Sequence, residues 1–233
     1  MSGSGEESKK RAFLIVSRYP TLFIPFAFLS MAVFHLPFWF NKRVSFYKLM
    51  GCGKNGTFDI RPDFNQWAVM VFYPAEIAAS DNLVNQLCGS FIRGWWNIFR
   101  VTNKVIHLEP IAGHGTWDGR TFISPENAIE GWNGRIGVLT RATIRLSKLV
   151  AFWKAVPTTA DKLEANPGFL YSVGIGEIPF IKQATFSIWE SEEQMKNFAY
   201  KKTAHREVIR RTKEEGWYSE EMFLRFRVLE MIE

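Results

Sequence analysis

Two hydrophobic periods alternate along this chain, one of about 3.6 residues and one of 2. From Glu192 to Arg211 the positions Met195, Phe198, Ala199, Lys202, His205, Val208 and Ile209 recur at helical spacing. Ala184-Thr-Phe-Ser-Ile-Trp189 before this run and Phe223-Leu-Arg-Phe-Arg-Val-Leu229 after it read as strands. Ser191 is a candidate N-cap with acids in the first turn, and Gly216 a candidate stop beyond the basic end. His205 therefore falls on the helix face that meets a sheet. A histidine there is either a satisfied core residue or a ligand to something in a cavity.

The same strand and helix order occurs twice. Val16-Ser-Arg18 matches Leu139-Thr-Arg141, and each is followed by an apolar helical stretch, 21–38 and 145–160. Phe46-Tyr-Lys-Leu-Met-Gly-Cys-Gly53 then matches Phe169-Leu-Tyr-Ser-Val-Gly-Ile-Gly176. Arg18 to Arg141, Gly51 to Gly174 and Gly53 to Gly176 are each 123 residues apart, which indicates a duplication. The strand Trp67–Tyr73 is matched with Ala184–Trp189, helix 75–100 with helix 192–215, and Leu108-Glu109 with Leu229-Glu230. Each half thus reads strand, helix, strand, strand, helix, strand, a ferredoxin-like module. The expected fold is α+β: tandem ferredoxin-like modules joined into an α+β barrel within one chain. Residues 1–10 form a polar tail, 11–111 the first module, 112–133 a connecting loop over one end, and 134–233 the second module.

The run 19–41 has no formally charged side chain with His35 neutral, and it is long enough to cross a bilayer. Pro20, Pro25 and Pro37 argue instead for the first helix of module one, 21–38, with Pro37 and Asn41 marking its end. Its excess apolar surface is expected to meet a membrane or a partner subunit.

The chain has 233 residues and is 47% hydrophobic, with 9 Trp and 21 Phe, which suits an aromatic-lined cavity or simply a large core. Its net charge of +6 favours anionic partners such as acidic lipid or an acidic electron donor. No base-reading module is present, so nucleic acid is not an expected partner. Two cysteines outside any CxxC fit a reducing cytoplasm, with a peripheral position at the inner membrane surface as the extension. The tail lacks the layout of a signal peptide.

The four histidines, His35, His107, His114 and His205, show neither HExxH nor any paired ligand spacing. A haem needs only one protein ligand, so a single cavity-facing His suffices. His205 is the first candidate and His35, in the apolar helix, its rival. His107 reads as structural, and His114 as an exposed or lid residue. No nucleophile elbow, Walker loop or dinucleotide fingerprint appears.

The run Ala184 to Met195, followed by Ala204-His205-Arg206, resembles the haem-binding module of dimeric α+β barrel monooxygenases, which carry the proximal histidine on this helix. Leu139-Thr-Arg-Ala-Thr-Ile-Arg145, Val173-Gly-Ile-Gly-Glu177, Phe186-Ser-Ile-Trp189 and Glu214-Glu-Gly-Trp-Tyr218 through Arg225-Phe-Arg-Val228 are similar to the spheroidene monooxygenase (acyclic carotenoid 2-ketolase) family. The specific match covers 135–229; the first module fits by pattern. The resemblance implies haem b with His205 as iron ligand, O2 as co-substrate, a ferredoxin-like electron donor and a hydrophobic, carotenoid-like substrate. Hydroxylation at a terminal carbon, repeated there, gives a gem-diol that loses water to a ketone. Arg141 and Arg145 become candidates for haem propionates or a distal hydrogen bond, with ion pairing as the alternative. Trp189 and Trp217 become candidates for the pocket wall, with core packing as the alternative. Haem degradation, aldoxime dehydration and a non-catalytic apolar-ligand carrier are the competing functions, and monomer or homo-oligomer both fit.

Overall fold

In the computed structural model each half supplies four strands, and all eight pair antiparallel. It describes residues 9–56, 61–77, 82–124, 126, 128–129, 131–155, 166–201, 210, 212 and 214–233. The first half gives β1 Lys10–Arg18, β2 Phe46–Gly53, β3 Pro62–Pro74 and β4 Thr102–Gly115. The second gives β5 Ile136–Ile144, β6 Phe169–Ile178, β7 Lys182–Trp189 and β8 Tyr218–Ile232. They close into one barrel in the order β1-β3-β2-β6-β7-β5-β8-β4. The β2–β6 seam closes through two residue pairs, Gly51 with Gly176 and Cys52 with Ile175. The expected α+β barrel is the observed fold.

The registers carry the duplication. At the β2–β6 seam Cys52 opposes Ile175, and these two residues are themselves 123 apart. At the β4–β8 seam Leu108 opposes Val228. Phe13 opposes His107 as Ile136 opposes Arg227, so Leu108 and Val228 are also equivalents. A pseudo-twofold passes through both seams. The same registers shift two of the equivalences expected from sequence. Leu108 corresponds to Val228 rather than Leu229. Trp67, opposite Ser17, corresponds to Thr185, opposite Thr140, rather than to Ala184. The turns differ in length between halves, and a slip of one residue exchanges the faces of a strand.

The barrel interior is apolar. Leu14, Val16, Met70 and Leu108 of the first half pack there against Leu139, Val173, Phe186 and Phe226 of the second. The segment after β4 buries Trp117 and Phe122 in the same core. It starts later than expected, because β4 runs to Gly115.

Helices pack outside. The predicted helix 21–38 is a 3-10 turn at Thr21–Phe23, then α1 Ile24–Val33 and α2 His35–Phe40. Pro37 has no N–H to offer the Val33 carbonyl, so the helix breaks there instead of ending. Helix α3 spans Leu83–Ile98, shorter than the predicted 75–100, with Gly89 non-helical inside it at φ 81°. The second half contributes α4 Leu149–Ala155 and α5 Glu192–Lys201. Helix α5 opens as predicted: Ser191 Oγ accepts from the Gln194 amide at 3.3 Å, and Glu192 and Glu193 lie in the first turn. Residues 210, 212 and 214 are helical, and Gly216 follows with φ 59°.

Candidate active site

Alternation along the strands of the second half separates an apolar inner face from a small, polar outer one. On β7, Ala184, Phe186 and Ile188 fill the barrel while Thr185 and Ser187 lie between them on the outer face. On β5, Leu139 points in, and Thr140 points out and is exposed. Register places Gly174 beside Thr185, Thr185 beside Thr140, Thr140 beside Phe223, and Phe223 beside His114. This row crosses the outer face as a belt. On one side lies a cluster of Ile136, Val138, Trp189 and Met195, with Phe169 and Phe198 against it. On the other lies Ile144 with Phe152 and Trp217. Trp189 and Trp217 flank the belt from opposite ends. Trp189 pairs with Ile136 and Tyr218 with Ile144, so roughly 26 Å of strand separates them.

The equivalent row in the first half is Gly51, Trp67, Ser17 and Asn103. It is filled. The Trp67 indole donates to the Phe64 carbonyl at 2.8 Å, and the Phe28 ring meets it edge-on at 4.9 Å. Ser17 Oγ is buried and donates to Asn103 Oδ1 at 2.6 Å. Where one half carries an indole under a helix, the other carries a threonine beside an exposed threonine. Gly174, Thr185 and Thr140 are the small residues of the belt, and the Phe223–His114 stack closes its end.

Both tryptophans are fully buried. Trp189 donates to Ser187 Oγ at 3.0 Å and packs on Phe198 at 5.0 Å; Trp217 donates to Glu215 at 2.8 Å. Arg141 and Arg145 are not brought together. Arg145 lies past the end of β5, exposed, with Nε donating to the Tyr218 carbonyl at 3.1 Å. Arg141 follows Leu139 on the inner face, and its side chain is 1% exposed. Its guanidinium meets Glu177 at 3.2 Å and Glu220 at closer range, and lies over the Trp117 ring at 5.6 Å. Arg141 is thus committed to an interior ion pair.

Arg141 belongs to a cluster that plugs this end of the barrel. Lys48 bridges Asp118 and Glu177, the latter at 2.7 Å, and Lys182 reaches Asp118 at 3.1 Å. Burial works to raise the Glu220 carboxyl, but the Gly119 amide and Arg141 prevail and hold it below the ordinary range. Burial likewise opposes ionisation of Asp118, and Lys48 and Lys182 outweigh it, so that carboxyl is also held down. Sequence reasoning missed this cluster, although a signal existed. Lys48, Glu177, Lys182 and Glu220 each sit two residues from an inward apolar position, at Met50, Ile175, Ala184 and Met222.

His205, with Lys202, Val208 and Ile209 of its stripe, lies outside the described residues. His35 Nδ1 lies 2.8 Å from Tyr47 Oη in the first half, and burial, with Lys48, pushes its pKa down. His107 is buried against Phe13, with Nε2 lacking a partner, and burial lowers its pKa. His114 is exposed and stacks on Phe223 at 5.6 Å, at the end of the belt. The glycines beside it are required by close approach. A Cβ on Gly113 would fall 2.5 Å from the Phe223 carbonyl oxygen, and Gly115 has φ +81° with the Glu221 oxygen 2.1 Å away.

No protein-family model matches the chain. Against a spheroidene monooxygenase from Rhodobacter capsulatus it is 35% identical over 209 residues, covering 88% of this chain and 84% of the relative. The chain belongs to the spheroidene monooxygenase family. Spheroidene monooxygenases of Rubrivivax gelatinosus, 33% identical over 78% of this chain and 67% of the relative, and of Cereibacter sphaeroides, 29% identical over 80% and 56%, are also similar. A match of 209 residues exceeds the span 135–229, so the family relation reaches into the first half, where the sequence reading had pattern alone. Two aldoxime dehydratase structures, one solved with butyraldoxime, share the fold at 10% identity. Their TM-scores are 0.62 and 0.59, over 96% and 97% of this chain and 81% and 83% of theirs.

Proposed function

We propose that the chain is a haem-dependent monooxygenase that hydroxylates an acyclic carotenoid at a terminal carbon, using O2 and electrons from a ferredoxin-like donor. The observation that carries the activity is the 35% identity to a spheroidene monooxygenase along most of both chains. The belt of Gly174, Thr185 and Thr140 supports the outer face of the second half as the site. Its side chains are small between two apolar clusters, where the first half carries an indole.

His205, on the stretch that continues from α5 toward Thr212, is the proposed ligand of haem b. Arg145 is the available cation for its carboxylates, because Arg141 is committed inside the barrel. When bound, haem supplies the activation of O2; the chain supplies the ligand, orientation and access. The Trp189–Phe169–Phe198 wall is apolar, as a polyene requires. The Thr140 and Thr185 hydroxyls are the polar groups at the belt. A polyene held by its end against this wall presents one carbon repeatedly, and two hydroxylations there give a gem-diol that dehydrates to a ketone.

The test is the absorption spectrum of the full chain purified with haem supply, followed by product analysis with lycopene or spheroidene, O2 and a reductant. A Soret band and a hydroxylated or ketolated product are expected, and His205→Ala should lose tight haem binding while keeping its far-UV spectrum. A normal Soret band in that variant moves the ligand elsewhere, to His35 first. No Soret band in the parent chain removes the haem reading and leaves an apolar-ligand carrier.

A further inference from the structure

The helical layer of the first half leaves large apolar side chains in water on a scale that needs an explanation. Leu22 is 80% exposed, Trp39 68%, Phe40 81% and, across on α3, Ile98 70%. Between them lie two aromatic clusters. Phe28 leans on Phe64 at 5.4 Å, Phe26 stacks on Phe99 at 4.2 Å, and Trp95 meets both Phe99 and Phe91. An exposed apolar area of this extent marks an interaction surface.

Charge selects the partner. Residues 8–58 and 82–108 contain no Asp or Glu, so α1, α2 and α3 carry no acid at all. Lys42 and Arg43 follow α2 directly, and Arg93 and Arg100 lie on and just beyond α3, all exposed. Long basic side chains beside exposed Trp and Phe fit an interface where rings sit among acyl chains and cations reach anionic headgroups.

The geometry decides between crossing and lying. The run 21–40 is apolar and long enough to cross a bilayer. One of its faces is already occupied: Ala27, Ser30, Phe34 and Phe38 are buried against the rest of the chain. It breaks at Phe34, and Asn41 Nδ2 ties its end to α3 through the Gln86 and Leu87 carbonyls at 2.8 and 2.9 Å. A segment so anchored presents one face outward along its length.

We propose that this face docks on an anionic lipid bilayer, with α1 and α2 lying in the plane of the headgroup boundary. The inference rests on the surface alone and does not depend on the haem reading.

The experiment is flotation of the purified full chain with vesicles of phosphatidylcholine, with and without phosphatidylglycerol. Binding is expected to the anionic vesicles, to weaken with salt, and to be released by an alkaline carbonate wash. Trp39→Asp with Phe40→Asp should lower partition at least about tenfold, since two rings leave the acyl boundary. Both positions are exposed, so the fold should survive; Leu22→Asp gives the same test at a separate site if it does not. Lys42→Glu with Arg43→Glu should reduce binding to that seen without phosphatidylglycerol. No flotation with anionic vesicles, carbonate resistance, or wild-type flotation of the Trp39/Phe40 variant each overturn the proposal. So does a vesicle-free dimer that those substitutions dissociate without changing flotation, which would assign the face to a second copy of the chain.

Discussion

The two halves share one strand order and one register, yet their outer faces are built oppositely. In the first half β3 is buried along Ala68–Tyr73 on both faces, between the barrel interior and Phe34, Phe38, Leu87 and Ile92 of the helices. In the second, β7 and β8 alternate buried and part-exposed positions, and the outer clusters stand apart on either side of Thr140. The sequence difference falls on equivalent outward positions: Trp67 and Val69 of β3 against Thr185 and Ser187 of β7. A duplicated module can thus devote one copy to packing, with its helices turned apolar side outward, while the other copy's sheet carries a row of small polar side chains on the same face. The differences between equivalent positions test this division.

The largest effect is expected at the pair Arg18 and Arg141. Arg18 is 59% exposed and faces Asp63 at 3.4 Å; Arg141 is 1% exposed between Glu177 and Glu220. Arg141→Leu leaves interior carboxylates unbalanced and should cost about 3–5 kcal/mol in urea unfolding. Arg18→Leu should cost less than about 1 kcal/mol, as an exposed pair does. Equal costs would mean that the barrel has no specialised end.

Exchanging the belt residues comes next. Trp67→Thr removes an indole from beneath Phe28 and should cost about 2 kcal/mol, below the range for a fully buried ring. Thr185→Trp imports that indole into the second half. It should leave the unfolding midpoint within about 0.5 kcal/mol, as substitution at an open surface does. Haem titration should nevertheless show at least about tenfold weaker binding, since the ring occupies the belt. An unchanged Soret titration would remove the belt as the site.

Acid distinguishes the plugged end from the rest more gently. Glu220 and Asp118 have folded pKa values below their ordinary ones. Their contribution is therefore complete above the unfolded values of about 4, and is lost as pH falls through the lowered folded values. Lys48 has a folded pKa above its ordinary one: burial opposes its charge, but Asp118 and Glu177 outweigh it. Its contribution is complete at neutrality and lost only at strongly alkaline pH. Stability against urea should fall between pH 5 and pH 2, and the fall should be shallower in Glu220→Gln. Equal slopes for the two proteins would mean that Glu220 has no part in it.

Much of this was legible because it is local. The 123-residue spacing needs only matching strands, and the Ser191 cap and Gly216 stop need only backbone chemistry. What was not legible depends on side chains far apart in sequence. The sequence leaves Arg141 between a propionate and an ion pair, because its partners Glu177 and Glu220 lie 36 and 79 residues away and only β6 and β8 bring them to it. The break at Phe34 followed from Pro37, which had been read as an end of the helix when it is an interruption. The equivalence of Trp67 with Thr185 was hidden by unequal turns, and only the ladder registers fix which residue faces out.

The smallest effect separates the helices of the two halves by how they are held. Helix α1 starts at Phe23 and α3 at Asn82 with no side-chain cap bond; their burial against the sheet holds them. Among the described residues of α5 only Met195 is buried, so local terms matter more to it. Its Ser191 hydroxyl accepts from the Gln194 amide, and Glu192 is held ionised by Lys196, with Arg225 also beside it, against the cost of burial. Ser191→Ala should therefore cost about 1 kcal/mol, the usual worth of such a cap. Asn82→Ala, which removes no cap, should be near neutral. Amide exchange in the first turn of α5 should quicken about fivefold in Ser191→Ala, the factor that 1 kcal/mol sets when opening is local. If both changes cost the same, capping does not distinguish the halves, and α5 is held by packing as its counterparts are.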